Sequence, residues 1–127
     1  MAERKTLSVE AFGKTYELRV TMAGQLAIRK ACRTPNALKG FGVALDGDPE
    51  AICEIFKAAL TWAGNENEIK DGAAFYDVLV DAGYDEVSID KLLLDVAATS
   101  GIMSAAQADV LKKRLDGLDD EVKSKNA

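Results

Sequence analysis

The chain has 127 residues, of which 48% are hydrophobic and 29% are charged, with a formal net charge of −5 and no histidine. This length and composition are typical of one folded domain and exclude the low hydrophobicity of a disordered chain. The lack of histidine excludes Ser-His-Asp and Cys-His catalytic sets and the usual zinc sites.

The first predicted element is a β-hairpin over residues 6–21. Apolar and polar residues alternate on both sides of Gly13, which is the pattern of two strands with one buried face. We predict a two-residue turn at Gly13-Lys14, in which the glycine supplies the positive φ of a type II′ turn. That register pairs Leu7 with Val20, Val9 with Leu18 and Ala11 with Tyr16, so that the apolar side chains share one face.

Five amphipathic helices are predicted after the hairpin, over approximately 22–33, 48–63, 71–82, 88–99 and 104–118. Their starts are indicated by Asp48 with Pro49, by Asp71, by Ser88, and by a capping box of Ser104 and Gln107. The segment 36–47 contains three glycines and is predicted to be a loop with exposed apolar groups.

These elements predict an α+β fold, predominantly α, with an N-terminal hairpin packed on a bundle of about five helices. A two-stranded ribbon is marginal alone, so its apolar face must lie on the helices. We expect a single domain over residues 1–118. Residues 119–127 lose the helical pattern and are predicted to be a flexible charged tail.

Motifs for chemistry are weak or incomplete. Cys32 and Cys53 lie in apolar helical segments and are expected to be unpaired thiols. Gly13-Lys14-Thr15 resembles the end of a phosphate-binding loop, but Ser8 stands where the first glycine of that motif would be. We therefore predict a protein that is not an enzyme and that has no cofactor and no metal site.

The charges are unevenly distributed along the chain. Residues 1–40 carry eight basic and three acidic side chains, whereas residues 41–127 carry eight basic and eighteen acidic ones. An acidic chain without a basic stripe is a poor nucleic-acid binder, and no apolar run is long enough for a membrane span or a signal peptide. We expect no nucleic acid and no membrane as partners, while the asymmetry permits a head-to-tail homo-oligomer.

Six residues are candidates for contact with a partner protein. Three are the apolar residues of the predicted loop, two are basic residues of the first helix, and one is the single tryptophan, a residue type that is common at binding hot spots. They are Phe41, Val43, Leu45, Arg29, Lys30 and Trp62. Trp62 is also explained by a place at the edge of the core, and the basic residues by a solvated helix face.

The order of elements resembles that of a known family. The features are a hairpin with Phe-Gly-Lys-Thr-Tyr-Glu-Leu at 12–18, a helix, a loop, and a helix that ends in Ala-Ala-Leu-Thr-Trp-Ala-Gly at 58–64. Over roughly residues 6–100 the chain resembles the tail assembly chaperones of long-tailed bacteriophages and related prophages. The resemblance implies a non-enzymatic protein of the host bacterial cytoplasm, absent from the mature virion, that binds the tape measure protein and promotes assembly of the tail tube protein.

Two other functions stay open from the sequence. One is a small acidic regulatory or immunity-type protein that inhibits a partner enzyme through its acidic region, in which case complex formation would be strongly salt-sensitive. The other is a nucleic-acid-binding domain that uses the basic first helix.

Overall fold

The structure is a computed structural model that describes residues 5–125, with the side chains of residues 5–117. It confirms the predicted α+β class, because a two-stranded antiparallel hairpin is followed by helices that make up most of the described chain. The elements are β1 (Leu7–Ala11), β2 (Lys14–Leu18), α1 (Met22–Cys32), α2 (Ala37–Leu45), α3 (Pro49–Leu60), α4 (Gly72–Asp81), α5 (Glu86–Thr99) and α6 (Ala105–Lys125).

The hairpin forms where predicted, but its predicted register is wrong by two residues. Leu7 lies opposite Leu18, Val9 opposite Tyr16 and Ala11 opposite Lys14. The turn is therefore Phe12-Gly13, with φ angles of 52° and 75°. Positive φ at both central positions is the type I′ geometry, whose twist matches that of paired strands. Because side chains alternate with a period of two, this shift leaves the predicted apolar face unchanged.

The predicted loop over 36–47 is wrong, because this segment contains helix α2. Asn36 caps the helix by accepting a hydrogen bond from the backbone nitrogen of Lys39 at 2.9 Å. Gly40 faces α1 so closely that a Cβ there would lie 2.7 Å from Cγ2 of Ile28. The glycine that favoured a loop thus permits a close helix–helix contact.

The predicted helix starts at Asp48 with Pro49, at Asp71 and at Ser104 with Gln107 are confirmed by their capping hydrogen bonds. The start predicted at Ser88 is wrong, since Asp85 caps α5 and accepts from the backbone nitrogen of Ser88 at 2.8 Å.

The last helix is longer than predicted. Its backbone runs to Lys125 instead of ending at 118. No proline or glycine stands between 118 and 125 to end the helix, and Glu121, Lys123 and Lys125 are good helix formers. Most of the segment predicted as a flexible tail, 119–127, is therefore helical, and residues 126 and 127 lie outside the described residues.

Helix α3 lies at the centre of the fold and contacts α1, α2, α4 and β2. Phe56 on α3 and Tyr16 on β2 both meet the ring of Phe75 edge to face, with centroid separations of 5.3 and 5.1 Å. Beside this core, the buried amide of Asn67 donates to the carbonyl oxygens of Glu17 and Leu60 at 2.8 and 3.1 Å. These bonds fix the hairpin on α3. No helix in the described part of the chain combines the length and apolarity needed to cross a bilayer.

Candidate partner-binding surface

The apolar candidates of the predicted loop do not form an exposed surface. Phe41 is 0% exposed in α2, while Val43 and Leu45 are half-buried and pack against the core. These side chains point inward because the segment is helical. The glycines in it favoured a loop, so this burial was not predicted from the sequence. An aspartate at position 41 would place a carboxylate in the core and destabilise the fold, so a substitution there would not separate partner contact from folding.

The basic candidates Arg29 and Lys30 are both exposed in the last turn of α1. The Nε atom of Arg29 donates to the carbonyl oxygen of Pro35 at 3.2 Å, and positive charge near a helix C-terminus is favourable in itself. The structure therefore gives Arg29 a local role and leaves both charges on the surface.

Trp62 follows α3 and is half-buried. Its indole Nε1 donates to the carbonyl oxygen of Glu17 at 3.0 Å, so the ring helps to hold β2 against the end of α3. The same residue lines a cavity next to the start of α1. Trp62 therefore lies at the edge of the core, as one interpretation of the sequence predicts, and also borders an accessible cavity.

That cavity is a groove of about 620 Å³ between α1 and the C-terminal half of α3, and we call it the α1–α3 groove. The two helices meet closely beneath it, because a Cβ on Gly24 would lie 3.6 Å from the Cβ of Ala58. Mostly small and apolar side chains line the groove, and these are Thr21, Met22, Ala23, Ala27, Ala58, Thr61, Trp62 and Ala63, together with Arg19.

Two large apolar side chains stand out from α1 into solvent. Met22, on the rim of the groove, is 66% exposed, and Leu26, one turn further along, is 57% exposed. Residues four apart share one face of a helix, so this pair forms a short apolar stripe. Sequence reasoning missed it, although the stripe is visible in the sequence as an i, i+4 pair that does not share the face of the buried Ile28.

Arg19 also borders a second cavity of about 500 Å³ on the other side of the α1 N-terminus. Polar and charged groups line this cavity, including Lys5, Thr21, Gln25 and Thr99. One guanidinium nitrogen of Arg19, Nη1, is buried without a hydrogen-bond partner in the structure. A buried donor of this kind is unfavourable unless something pairs with it.

The surroundings of the two cysteines do not activate their thiols. Burial, followed by nearby carboxylates, raises the pKa of the Cys32 and Cys53 thiols, and this lowers the population of reactive thiolate. Among the described residues, no group of three or more potential ligands could hold a metal ion.

Comparison with family models, curated proteins and solved structures finds no match to this chain.

Proposed function

We propose that this protein is a non-enzymatic phage tail assembly chaperone. In this function it binds the tape measure protein in the host bacterial cytoplasm and promotes assembly of the tail tube protein. The proposal rests on the resemblance of the hairpin segment 12–18 and the helix end 58–64 to that family, and on a surface suited to a helical partner.

The observation that carries the proposal is the apolar stripe of Met22 and Leu26 beside the α1–α3 groove. A long helical protein exposes apolar seams that aggregate unless they are covered. An amphipathic helix laid in a groove buries such a seam. Burial of a methionine or leucine side chain contributes roughly 1.5–3 kcal/mol, so this pair alone can supply a useful part of a binding energy.

The test is co-expression with the protein encoded by the longest nearby downstream reading frame. We expect that protein to become soluble and to co-elute with the chaperone. The double variant Met22→Asp with Leu26→Asp should abolish both effects while the chain stays folded. Val110→Asp replaces an apolar side chain of α6 that is 52% exposed, and it should leave both effects intact. A partner that is soluble alone and does not co-elute would refute the proposal.

The second candidate function is an acidic protein that inhibits a partner enzyme. It is favoured by the excess of acidic residues in 41–127 and by a cavity with Glu86 and Asp90 among its lining residues. The affinity of a complex held together by opposite charges falls steeply as the salt concentration rises, whereas that of a complex held by apolar contacts does not. A complex that dissociates at moderate salt, and that tolerates the Met22→Asp and Leu26→Asp changes, would support this alternative.

A further inference from the structure

Arg19 lines both the α1–α3 groove and the polar cavity at the start of α1, as its neighbours Thr21 and Met22 also do. The residue lies in the connection between β2 and α1. Its backbone nitrogen donates to the carbonyl oxygen of Ala59 at 3.0 Å, which fixes the start of the side chain against α3. Arg19 is thus anchored through its backbone and borders two accessible cavities.

The hydrogen-bonding capacity of this guanidinium is not fully used. Its Nη1 atom is buried and has no partner in the structure, and none of the described ion pairs includes Arg19. Arginine presents its donors in a planar fork that matches the two oxygens of a carboxylate. A carboxylate bound beside Arg19 would supply the partner that this donor lacks.

Charge and shape beyond Arg19 agree with an acidic helical ligand. Helix α1 has 11 residues and is therefore about 16 Å long, or three turns. Along it the surface presents Met22 and Leu26, which are apolar, and then Arg29 and Lys30, which are basic. Small residues beside the apolar stripe leave space for a second helix to approach.

From these observations we infer that the α1–α3 groove binds an acidic amphipathic helix of a partner protein, and that Arg19 pairs with a carboxylate of that helix. This inference rests on the proposed function, because it specifies the chemistry of the helical partner. The apolar face of the helix packs on Met22 and Leu26, and its carboxylates pair with Arg19 at one end and with the Arg29 and Lys30 charges at the other.

The experiment uses the full chain and two synthetic amphipathic helices of about 18 residues, long enough to be helical in water. One peptide carries glutamates beside its leucine face, and its twin carries glutamines at the same positions. Binding is measured by isothermal titration, and the site is mapped by backbone amide shifts. We expect the glutamate peptide to bind at the groove more tightly than the glutamine peptide.

Three arginine variants assign the charge pairing. Arg19→Met keeps much of the side-chain volume. It should lower the affinity for the glutamate peptide roughly tenfold or more, because a charge-assisted pair is lost. It should change the affinity of the glutamine peptide much less. Arg19→Lys keeps the positive charge but lacks the planar guanidinium, so its affinity for the glutamate peptide should be intermediate. This variant also replaces Arg19→Met in the test if Arg19→Met does not fold. Arg114→Met, at an exposed position on α6, should change neither affinity.

Other results would overturn the inference. If Arg19→Met lowers the affinity for both peptides equally, Arg19 only supports the structure. If it lowers neither affinity, Arg19 makes no ion pair with the peptide. Peptide binding that competes with dimerisation, seen by light scattering, would mean that a second copy of the chain occupies the groove. If the double variant of Met22 and Leu26 loses the downstream partner while Arg19→Met retains it, the proposed function stands and this inference fails.

Discussion

At the scale of single residues, Asp90 is an acidic group whose surroundings shift its pKa strongly. It lies on α5 one turn after Glu86, and it lines a cavity of about 240 Å³ together with Cys53 and Tyr76. Burial, and then the charge of Glu86, raises the pKa of the Asp90 carboxyl group from 3.8 to about 6. The ionised form is therefore less favourable in the folded chain than in the unfolded chain.

The sign of this shift predicts how stability depends on pH. A raised folded-state pKa contributes stability that is fully present below the unfolded value of 3.8 and is lost as the pH rises through about 6. Asp90→Asn should therefore raise the free energy of unfolding at about pH 8 and have less effect at about pH 4. Urea unfolding at the two pH values measures both effects.

The control for this prediction is Asp109→Asn, which removes a carboxylate from an exposed position on α6. It should give no comparable gain at the higher pH. The same gain from both variants, or an Asp90→Asn effect that does not change with pH, would contradict the assignment of the shift to burial beside Glu86.

The sequence predicted some residue roles better than others. The capping residues Asp48, Asp71 and Ser104 could be identified because a cap needs only a local pattern. Phe41 could not be assigned to the core, since its burial depends on the packing of α2 against other helices, which are α1, α3 and α5. The unpaired nitrogen of Arg19 depends on packing between segments far apart in the chain, and no sequence pattern specifies it.

At the scale of elements, two glycines in helices have opposite surroundings. A Cβ on Gly72, at the start of α4, would fall on the carbonyl oxygen of Cys53 and lie 3.0 Å from the backbone nitrogen of Lys57. A Cβ on Gly42, within α2, would meet no atom within 4 Å. Gly72 therefore sets the close approach of α4 to α3, whereas Gly42 has no such role.

Alanine substitutions at these two glycines should change stability in opposite directions. Gly72→Ala pushes α4 away from α3 and should lower the free energy of unfolding by about 1–3 kcal/mol, as overpacking usually does. Gly42→Ala removes backbone freedom from the unfolded chain and should raise it by roughly 0.5–1 kcal/mol. Denaturant unfolding of both variants measures the difference, and a neutral Gly72→Ala would show that the α3–α4 contact adjusts.

Element prediction failed at α2 and succeeded at α3, because the local sequence signals conflict in α2 and agree in α3. Helix α3 has a cap, a proline at its first position and an apolar stripe, and these agree with one another. In the segment of α2, Gly40 and Gly42 argue against a helix locally, and contacts with α1 and α3 override that preference. The hairpin was also predicted only in part. Its buried face follows from the alternation of apolar and polar residues, whereas its strand register depends on the geometry of the turn.

At the scale of the whole molecule, the described core is centred on α3, and α6 is attached at one side. The residues of α3 that are 0% exposed are Ile55, Phe56, Ala59 and Leu60. Helix α6 packs against α5, and among its described side chains Ala108 is the buried one. This arrangement predicts that the two helices open with different free energies.

Hydrogen exchange measured by mass spectrometry should resolve this difference. We expect peptides from α3 to exchange only through global unfolding, and peptides covering 105–117 of α6 to exchange earlier because few apolar contacts must break. The pair between Lys112 and Asp95, at 2.6 Å, and the pair between Lys91 and Asp116 link α6 to α5. Such partly exposed pairs contribute little, typically below about 1 kcal/mol.

Asp95→Asn tests the attachment of α6 directly. It removes one of these pairs and should speed exchange in 105–117 by a few-fold at most, since about 1 kcal/mol corresponds to roughly a fivefold change. Exchange in α3 should not change. If instead α6 exchanges as slowly as α3 in the unaltered chain, the two helices belong to one cooperative unit. In that case α6 is held by more than its described contacts with α5.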